Sequence, residues 1–516
     1  MITENQYAQL VGIEHRKKFA QFFTPERISD FMAEWVLRGM KGSKVLEPAF
    51  GLGVFSRSMN RINPSIHVDA YDIDGTIFKI AKENLEEQNH NIDLRNENYM
   101  YASWEKKYDG IICNPPYLKF HDYDNKTYIS LVNKWLDSQL NGFTNIYTLF
   151  LLKSIYQLNK DGRMAYIVPS EFLNSDYGVE VKRCLLKSGC LRHVIIVDFT
   201  ECAFEGALTT ACILLCENNA ESREVKFSKI DDVGQLGRAL DHYTCYSVQA
   251  LKPEQKWKRY YEVPASSKYN NLVSFSTFAK VSRGIATGAN NYFTFNQSKI
   301  ESYNIGKENF MPCICHSVDV QSSIFTHEEF DRLVEADKNV FLFNACINDS
   351  DPQVKKYIEL GETNDINKRY LTANRAPWYA IENRKTSPIW VSVFNRKGLR
   401  FIRNKANAYN LTTFHNIYNK GVVDTDVLFA YLITDVAKEI FLDNSRQYGN
   451  GLVKFEPNDL NRGMVLDLTK LEDEELMFIN DIYRQLKDSE TENCEYVDVL
   501  DNFFRTKFSE HSCAVD

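Results

Sequence analysis

The stretch Asn114-Pro115-Pro116-Tyr117 constrains the fold more than any other part of this chain. It directly follows an apolar run, residues 108–113, that predicts a buried strand. Two consecutive prolines can neither continue a strand nor open a helix, so the chain must turn here. The turn places an amide side chain and an aromatic ring at the carboxyl end of a strand, which is the edge where open α/β sheets bind ligands.

These side chains suit a planar amine such as that of adenine. An asparagine oxygen and a rigid peptide carbonyl can both accept hydrogen bonds from one NH2 group. A tyrosine ring can stack on the plane that carries this group. The tetrapeptide alone could also be a simple turn after a strand, and the motifs that precede it favour the binding interpretation.

Three earlier stretches predict strands whose carboxyl ends carry ligand-binding signals. Residues 44–47 predict a short strand, and residues 48–53 follow it as a glycine-bearing turn that lets the backbone approach a ligand closely. Residues 66–71 predict a second strand that ends at Asp72, where nucleoside-binding α/β folds hold ribose hydroxyls. A third strand, near residues 92–97, would end at Asn98. Asp72 could instead only cap a helix.

The N-terminal part of the chain predicts a helix docked on the core. Thr24 is a suitable N-cap and Pro25 a suitable first helical residue. From Ile28 to Val36 apolar residues recur at helical spacing, so one face of the helix is apolar. The Thr24 hydroxyl would then serve as a cap, as a ligand contact, or as both.

The stretch after the tetrapeptide completes the pattern of an α/β domain. Residues 146–158 predict a helix, residues 164–168 a fifth strand, and residues 193–199 and 211–216 a hairpin. Strands that alternate with helices predict a mostly parallel sheet, here with the hairpin at one edge. We expect this domain to span residues 1–245, with a polar linker region over residues 217–265. A second, mixed α+β domain with an acidic helical tail would span residues 246–516.

The net charge of −8 conceals an uneven distribution. Residues 366–420 contain eleven Lys or Arg and one acid, whereas residues 456–516 contain sixteen acids and six bases. A basic segment with interleaved aromatic residues suits contacts to a nucleic-acid backbone and its bases, although a solvated basic face is the alternative. The candidate DNA-binding residues in this segment are Arg375, Trp378, Arg384, Lys385, Arg396, Lys397, Arg400 and Arg403.

Other features exclude several classes of protein. No apolar run is long enough to span a membrane, and the N-terminus lacks the basic and apolar regions of a signal peptide. The scattered cysteines lie in apolar runs and suit a reducing compartment. We therefore expect a cytoplasmic protein. Cys313, Cys315 and His316 have no second ligand pair at a suitable spacing, so we expect no metal site.

The ordered motifs resemble those of the γ class of adenine-N6 DNA methyltransferases, of which the TaqI enzyme is the type member. The matching stretches are Gln21-Phe-Phe-Thr-Pro25, Glu47-Pro-Ala-Phe-Gly-Leu-Gly53, Asp72 and Asn114-Pro-Pro-Tyr117. The resemblance covers nearly the whole chain and is densest over residues 17–216. It implies a Rossmann-like S-adenosylmethionine-dependent methyltransferase domain followed by a target-recognition domain. Residues 15–25 also resemble the BsuBI/PstI-type modification enzymes, which would imply the recognition sequence CTGCAG.

The resemblance implies that the cofactor is S-adenosylmethionine and that no metal is required. Thr24 and Glu47 would lie near its methionine end, and Asp72 would bind its ribose. Asn98 stands where the class usually has an aspartate for the cofactor's adenine, so an acceptor oxygen is kept and a charge is lost. The implied cofactor contacts are Thr24, Glu47, Pro48, Ala49, Gly51, Gly53, Asp72, Ile73, Asn98 and Asn114.

The implied reaction is methyl transfer to N6 of a flipped-out adenine in double-stranded DNA. The Asn114 side-chain oxygen and the Pro115 carbonyl would accept both amine hydrogens, which favours a pyramidal nitrogen whose lone pair points at the methyl group. The base would leave the duplex and lie between Tyr117 and Phe204. We expect the modification enzyme of a restriction-modification system, with any cognate endonuclease acting separately.

Two alternatives remain at this point. Methylases of other substrates, such as RNA or the glutamine of release factors, form the first. The glutamine methylases share the tetrapeptide but lack the Gln21–Pro25 motif and a large C-terminal half. A catalytically dead methylase that only binds DNA is the second, and the intact Asn114, Tyr117, Asp72 and glycine turn argue against it.

Overall fold

The computed structural model describes residues 2–86, 91–197, 210–219, 223–395, 398–448, 452–488 and 494–509. The chain divides into two compact units, Met1–Val263 with Arg446–Gly451, and Pro264–Ser445 with Leu452–Asp516. The expected boundary after residue 245 falls earlier than this division. Residues 246–263 belong to the first unit because Leu251, Trp257 and Tyr260 are buried in its core.

The part of the first unit up to Val263 contains nine strands and nine α-helices within its described residues. The strands are β1 Lys44–Glu47, β2 His67–Tyr71, β3 Ile92–Arg95, β4 Tyr108–Cys113, β5 Leu158–Pro169, β6 Leu191–Val197, β7 Ala211–Glu217, β8 Glu224–Ile230 and β9 Thr244–Ser247. The helices are α1 Glu4–Leu10, α2 Ile13–Lys18, α3 Glu26–Leu37, α4 Val54–Ile62, α5 Gly75–Glu86, α6 Asn125–Leu136, α7 Ile146–Gln157, α8 Gly178–Ser188 and α9 Leu236–Ala239.

These strands form one sheet in the order β3-β2-β1-β4-β5-β7-β6-β8-β9. Strands β1 to β5 pair in parallel, as the alternation of strands and helices predicts. The strand order reverses between β1 and β4, and such a switch point opens a crevice at the carboxyl ends of the strands. The glycine turn after β1 and the tetrapeptide after β4 therefore lie on either side of the crevice.

The predicted hairpin exists, but it does not lie at the edge of the sheet. Strand β7 runs antiparallel between β5 and β6, and β8 and β9 extend the sheet beyond them. The expectation of a polar linker over residues 217–265 was therefore wrong. Strand β8 buries Val225, Phe227 and Ile230, but the lysines between these residues make the segment polar on average.

The central strands β4, β6 and β7 are buried on both faces along most of their length, which explains why their sequences are mostly apolar. In β4, Ile111 and Cys113 face the core beneath α6, α7 and α8, whereas Ile112 faces the core beneath α3 and α4. Helix α7 is the most buried helix on the first of these faces, and it leads directly into β5. The carboxyl end of β4 is therefore held by packing from both sides.

The rest of the described chain is mixed α+β. Its helices are α10 Asn290–Phe293, α11 Gln297–Tyr303, α12 His327–Glu335, α13 Pro352–Thr363, α14 Tyr370–Ala373, α15 Thr425–Leu432, α16 Asp435–Leu442, α17 Pro457–Asn461, α18 Asp473–Asp488 and α19 Cys494–Phe508. Its strands are β10 Leu272–Ser274, β11 Ala279–Arg283, β12 Thr294–Phe295, β13 Phe310–Ile314, β14 Ile324–Phe325, β15 Phe341–Phe343, β16 Ile389–Ser392, β17 Phe394–Asn395, β18 Phe401–Asn404, β19 Tyr409–Asn410, β20 Phe414–Asn419, β21 Arg446–Tyr448, β22 Leu452–Lys454 and β23 Met464–Leu466.

Two sheets organise the second unit. One has the order β11-β20-β16-β18-β14 and the other β12-β15-β13-β19. Helices α15, α16, α18 and α19 pack on a core that also includes Ile389, Phe401 and Ile417 from the larger sheet. Among the described residues, no helix combines the length and apolar character needed to cross a membrane.

Candidate active site

Asn114 follows β4 directly, and its side-chain amide is held in one orientation. Its Nδ2 donates to the Phe22 carbonyl oxygen at 2.9 Å and to the Thr24 hydroxyl at 3.0 Å. Both amide hydrogens are thereby used, and they fix which way the amide points. Its Oδ1 is buried and has no hydrogen-bond partner among the described residues. A buried acceptor without a partner costs about 1–3 kcal/mol, so this oxygen is poised for a donor that is brought by a ligand.

This geometry changes the expected role of Thr24. Helix α3 begins at Glu26 with Pro25 as its N-cap, and no side-chain hydrogen bond caps it. The prediction that Thr24 caps the helix was therefore wrong, since its buried hydroxyl accepts from Asn114 instead. Thr24 orients the amide of the tetrapeptide.

Tyr117 lies in an aromatic cluster at the same edge of the sheet. Its hydroxyl donates to the Ile167 carbonyl at 3.3 Å, which fixes the far end of the ring. The Phe22 ring stacks on it with centroids 5.5 Å apart and planes inclined by 23°, and the Tyr147 ring contacts it edge-on at 6.2 Å. The tyrosine is thus held in place by its hydroxyl and by neighbouring rings. Phe204, the expected second ring, lies outside the described residues.

The glycine turn after β1 forms a backbone cradle. Gly51 and Gly53 have φ angles of 59° and 81°, a region that side chains disfavour. A Cβ atom on Gly53 would also meet the Phe50 ring at 2.5 Å. Asp72, at the tip of β2, accepts from the backbone N–H groups of Gly51 and Asp74, each at 2.9 Å. The carboxylate therefore ties the glycine turn to the end of β2.

Burial perturbs both carboxyl groups of this cradle. Burial raises the pKa of Asp72 to about 6, although the backbone N–H bonds oppose this shift. Glu47, the last residue of β1, is fully buried, and burial raises its pKa to about 8. The Ser56 hydroxyl donates to one Glu47 oxygen, while the other is buried without a partner among the described residues. Burial therefore favours the protonated form of Glu47, and a cation beside it would favour the ionised form.

Asn98 is engaged within the protein. Its Oδ1 accepts from the Met100 N–H at 3.0 Å, and its Nδ2 donates to the Tyr128 hydroxyl. The buried ammonium of Lys153, on α7, donates to the carbonyl oxygens of Tyr99 and Ala102 and so fixes the turn after Asn98. Burial lowers the pKa of Lys153 to about 7. The position that the sequence assigns to the cofactor's adenine is therefore rigid.

These elements surround a cavity of about 330 Å³, within the range of ligand sites. Eight of the predicted cofactor contacts line it: Thr24, Pro48, Ala49, Gly51, Asp72, Ile73, Asn98 and Asn114. Glu47, Gly53, Pro115 and Tyr117 are not among its lining residues in the described chain. They lie in or next to the segments that form its walls.

The cavity has a wall that sequence reasoning missed. Residues 18–23 line it together with Glu4. This N-terminal segment is fixed to buried Asp74, whose Oδ2 lies 2.7 Å from His15 Nε2 and accepts from Gln21 Nε2 at 2.6 Å. Phe22 and Phe23 belong to the Gln21–Pro25 motif, but the motif alone does not predict that both residues line the cavity.

The candidate DNA-binding residues of the second unit differ in how far their side chains already form hydrogen bonds within the protein. The Arg375 guanidinium donates to the carbonyl oxygens of Ala286, Thr287 and Ala380. Arg400 bonds the carbonyls of residues 320 and 322, and Arg403 bonds Asp426 and the Pro388 carbonyl. These three arginines tie segments of the unit together.

The other candidates are a mixed group. Arg384 pairs with Glu382 at 2.7 Å, and the Trp378 indole donates to Glu362 at 3.1 Å. Lys385 is exposed. Arg396 and Lys397 lie outside the described residues. Charge and aromatic content therefore identify residues 366–420 as a candidate binding segment. They do not show which of its side chains are available to a ligand.

Comparison with known proteins places the chain in a family. Residues 52–204 match the family described as Eco57I restriction-modification methylase, and residues 256–501 match the C-terminal domain of the type II methyltransferase M.Eco57I. The type II methyltransferase M.AccI of Acinetobacter calcoaceticus is 52% identical, over 98% of this chain and 97% of that protein.

Two solved structures share the fold at 12% identity. One is a nuclease-deletion mutant of the type ISP restriction-modification enzyme LlaGI with a DNA substrate mimic, with a TM-score of 0.55 over 94% of this chain and 57% of that one. The other is the DrdV–DNA complex, with a TM-score of 0.52 over 93% of this chain and 58% of that one. The chain thus spans less than two thirds of each of these structures. The identity and coverage of M.AccI show that the chain belongs to the type II methyltransferases of restriction-modification systems.

Proposed function

We propose that this protein transfers a methyl group from S-adenosylmethionine to N6 of a flipped-out adenine at a specific site in double-stranded DNA. Its role is the cytoplasmic, host-protecting modification of a restriction-modification system, with any cognate endonuclease as a separate protein. The observation that carries the proposal is the buried Oδ1 of Asn114, a residue that lines the cavity, because this oxygen has no partner among the described residues. An amine that enters the cavity supplies the missing donor.

The cavity suits S-adenosylmethionine. The cofactor supplies an electrophilic methyl group when it is bound. The glycine cradle allows close approach of the backbone, and a side chain at Gly53 would collide with Phe50. Asp72 would bind the ribose hydroxyls, and Ile73, Asn98 and Phe150 would contact the adenine; all four residues line the cavity. Glu47 has a buried oxygen without a partner among the described residues, and near the methionine end of the cofactor an ammonium group would favour its ionised form.

The tetrapeptide acts on the target base by position and polarity. Asn114 Oδ1 and the Pro115 carbonyl accept the two N–H bonds of the adenine amine, so the nitrogen lone pair turns away from the ring. The buried setting strengthens both hydrogen bonds, and their acceptors need no reorganisation during the reaction. No strongly basic side chain is required, because the nitrogen becomes cationic on methylation and then releases its proton to water.

Tyr117 and the second unit serve the DNA. The Tyr117 ring stacks on the flipped base, which cannot be reached inside a duplex. Phe204 is the expected ring on the opposite face. The basic segment of the second unit supplies phosphate and base contacts, with Lys385 the clearest candidate for a phosphate. The recognition sequence stays an expectation, CTGCAG, from the likeness to the BsuBI/PstI-type enzymes.

The proposal is tested by methylation mapping of genomic DNA from a methylation-free host that expresses the protein. N6-methyladenine at one short sequence is the expected result, and it also gives the recognition site. Absence of new methylation from a soluble, folded protein would contradict the proposal. Cofactor binding measured by calorimetry would then separate a methylase of another substrate, which binds S-adenosylmethionine, from a dead methylase, which does not.

Asn114→Ala gives the matching test of mechanism. The variant should lose methylation while it keeps its DNA affinity, because the amide contacts the base and not the backbone of the DNA. Asn348→Ala, at an exposed asparagine of the second unit, is the control and should methylate normally. Equal loss of methylation and DNA binding in the Asn114 variant would contradict the assigned role.

A further inference from the structure

Phe22 covers Tyr117 at the place where the proposed reaction needs a free aromatic face. The two rings are stacked, with centroids 5.5 Å apart and planes inclined by 23°. Phe22, Asn114 and Pro116 line the cavity, whereas Tyr117 is not among its described lining residues. Phe22 therefore both lines the cavity and contacts the Tyr117 ring.

The spacing of the rings leaves no room for a base between them. Stacked aromatic planes lie about 3.5 Å apart, so a base between two rings needs about 7 Å. The observed 5.5 Å is the distance of rings in direct, offset contact. A base that stacks on this face of Tyr117 must move the Phe22 ring aside.

We propose that, in the free protein, Phe22 occupies the stacking place of the flipped adenine on Tyr117, and that the base displaces it. This inference rests on the proposed function and names a positioning residue for that reaction. Phe22 shields an apolar face from water before DNA binds. A base that stacks or hydrogen-bonds poorly competes less well for this place, so the ring also raises the selectivity of the pocket.

The backbone at Phe22 is suited to this exchange. Its carbonyl oxygen accepts from Asn114 Nδ2 at 2.9 Å, and the preceding Gln21 is bonded to buried Asp74. The main chain is therefore held from both sides while the side chain can turn about its own bonds. The bond from Asn114 also keeps the catalytic amide in register when the ring leaves.

The test uses Phe22→Ala in the full-length protein and duplex DNA with 2-aminopurine at the target adenine, whose fluorescence rises when it leaves the base stack. KM and kcat are measured with the same duplex that carries adenine at this position. Removal of the competing ring should raise the flipped fraction and lower the KM for DNA by roughly 2- to 10-fold, the factor that corresponds to one aromatic pair. The turnover number kcat should change less than KM. A loss of positioning alone would lower kcat and leave the fluorescence unchanged.

Phe22→Leu guards against misfolding, because leucine keeps apolar bulk without a stacking ring. Phe478→Ala, at a partly exposed ring of the second unit, is the control for loss of a phenylalanine outside the site. A Phe22→Leu protein that is folded but shows the same or lower fluorescence and a higher KM would overturn the inference, since Phe22 would then be a fixed wall. If the wild-type protein methylates no adenine, the proposed function fails first, and this inference fails with it.

Discussion

The buried carboxyl group of Glu47 makes the stability of the protein depend on pH in a predictable direction. Glu47 is fully buried with its pKa raised by burial to about 8, against 4.5 for an exposed glutamate. Between these values the folded protein keeps a proton on Glu47, whereas the unfolded chain releases it. The free energy of unfolding should therefore fall as the pH rises through this range.

The size of the effect follows from linkage. One proton that is held only by the folded state changes the free energy of unfolding by about 1.4 kcal/mol per pH unit. Glu47→Gln removes the titration but keeps the shape and an acceptor for the Ser56 hydroxyl. From about pH 5.5 to about pH 7.5, the variant should gain about 2–3 kcal/mol relative to the wild type.

Urea unfolding of the cofactor-free protein, followed by tryptophan fluorescence at several pH values, measures this difference. Glu34→Gln is the control, because Glu34 is exposed on α3 and should give a constant difference. A difference between Glu47→Gln and wild type that stays constant over this range would mean that Glu47 is already ionised in the folded protein. The argument from burial would then be refuted.

Two further pairs of variants test the cradle and the basic segment. Gly53→Ala should destabilise the protein by about 1–3 kcal/mol and weaken cofactor binding, because its φ is positive and its Cβ would strike Phe50. Gly142→Ala, with no neighbour within 4 Å of the added Cβ, should melt like wild type. Arg375→Ala should lower the melting temperature, because its guanidinium bonds three backbone carbonyls. Lys385→Ala should leave melting unchanged but weaken DNA binding and reduce the salt slope by about one, and loss of DNA affinity without loss of stability in the Arg375 variant would contradict this division.

The parts of the fold that the sequence predicts are those where local pattern and tertiary burial agree. Strand β4 ends in an apolar run, residues 111–113, because both faces of the sheet are covered there, and the turns after β1, β2 and β4 carry glycine, aspartate and proline. Strand β8 escaped prediction because its solvent-facing lysines hide the buried Val225 and Phe227. The sequence predicts the hairpin. Its place inside the sheet depends on β8, so the sequence does not predict that place.

The site shows the same division between residue type and placement. The sequence motifs predict that Thr24, Asp72, Asn98 and Asn114 contact one cofactor, and these four residues line one cavity. Their roles toward a ligand stay predictions. Sequence could not show that the Thr24 hydroxyl turns to Asn114, because that bond joins residues ninety positions apart. The sequence also could not show that Arg400 and Arg403 bond within the protein. An arginine adds the same charge to a sequence pattern whether its guanidinium binds a phosphate or a backbone carbonyl.

The order of residues in the tetrapeptide also has a consequence for chemical ageing. An asparagine usually deamidates when the next backbone nitrogen attacks its side-chain carbonyl and closes a succinimide ring. Residue 115 is proline, whose nitrogen carries no hydrogen and is already bonded within its own ring. The Asn114 amide, whose two hydrogens are held by Phe22 and Thr24, is thus protected by its neighbour from the common route to aspartate. A carboxylate there would face the Phe22 carbonyl with no hydrogen to donate, so this protection preserves the amide through the lifetime of the protein.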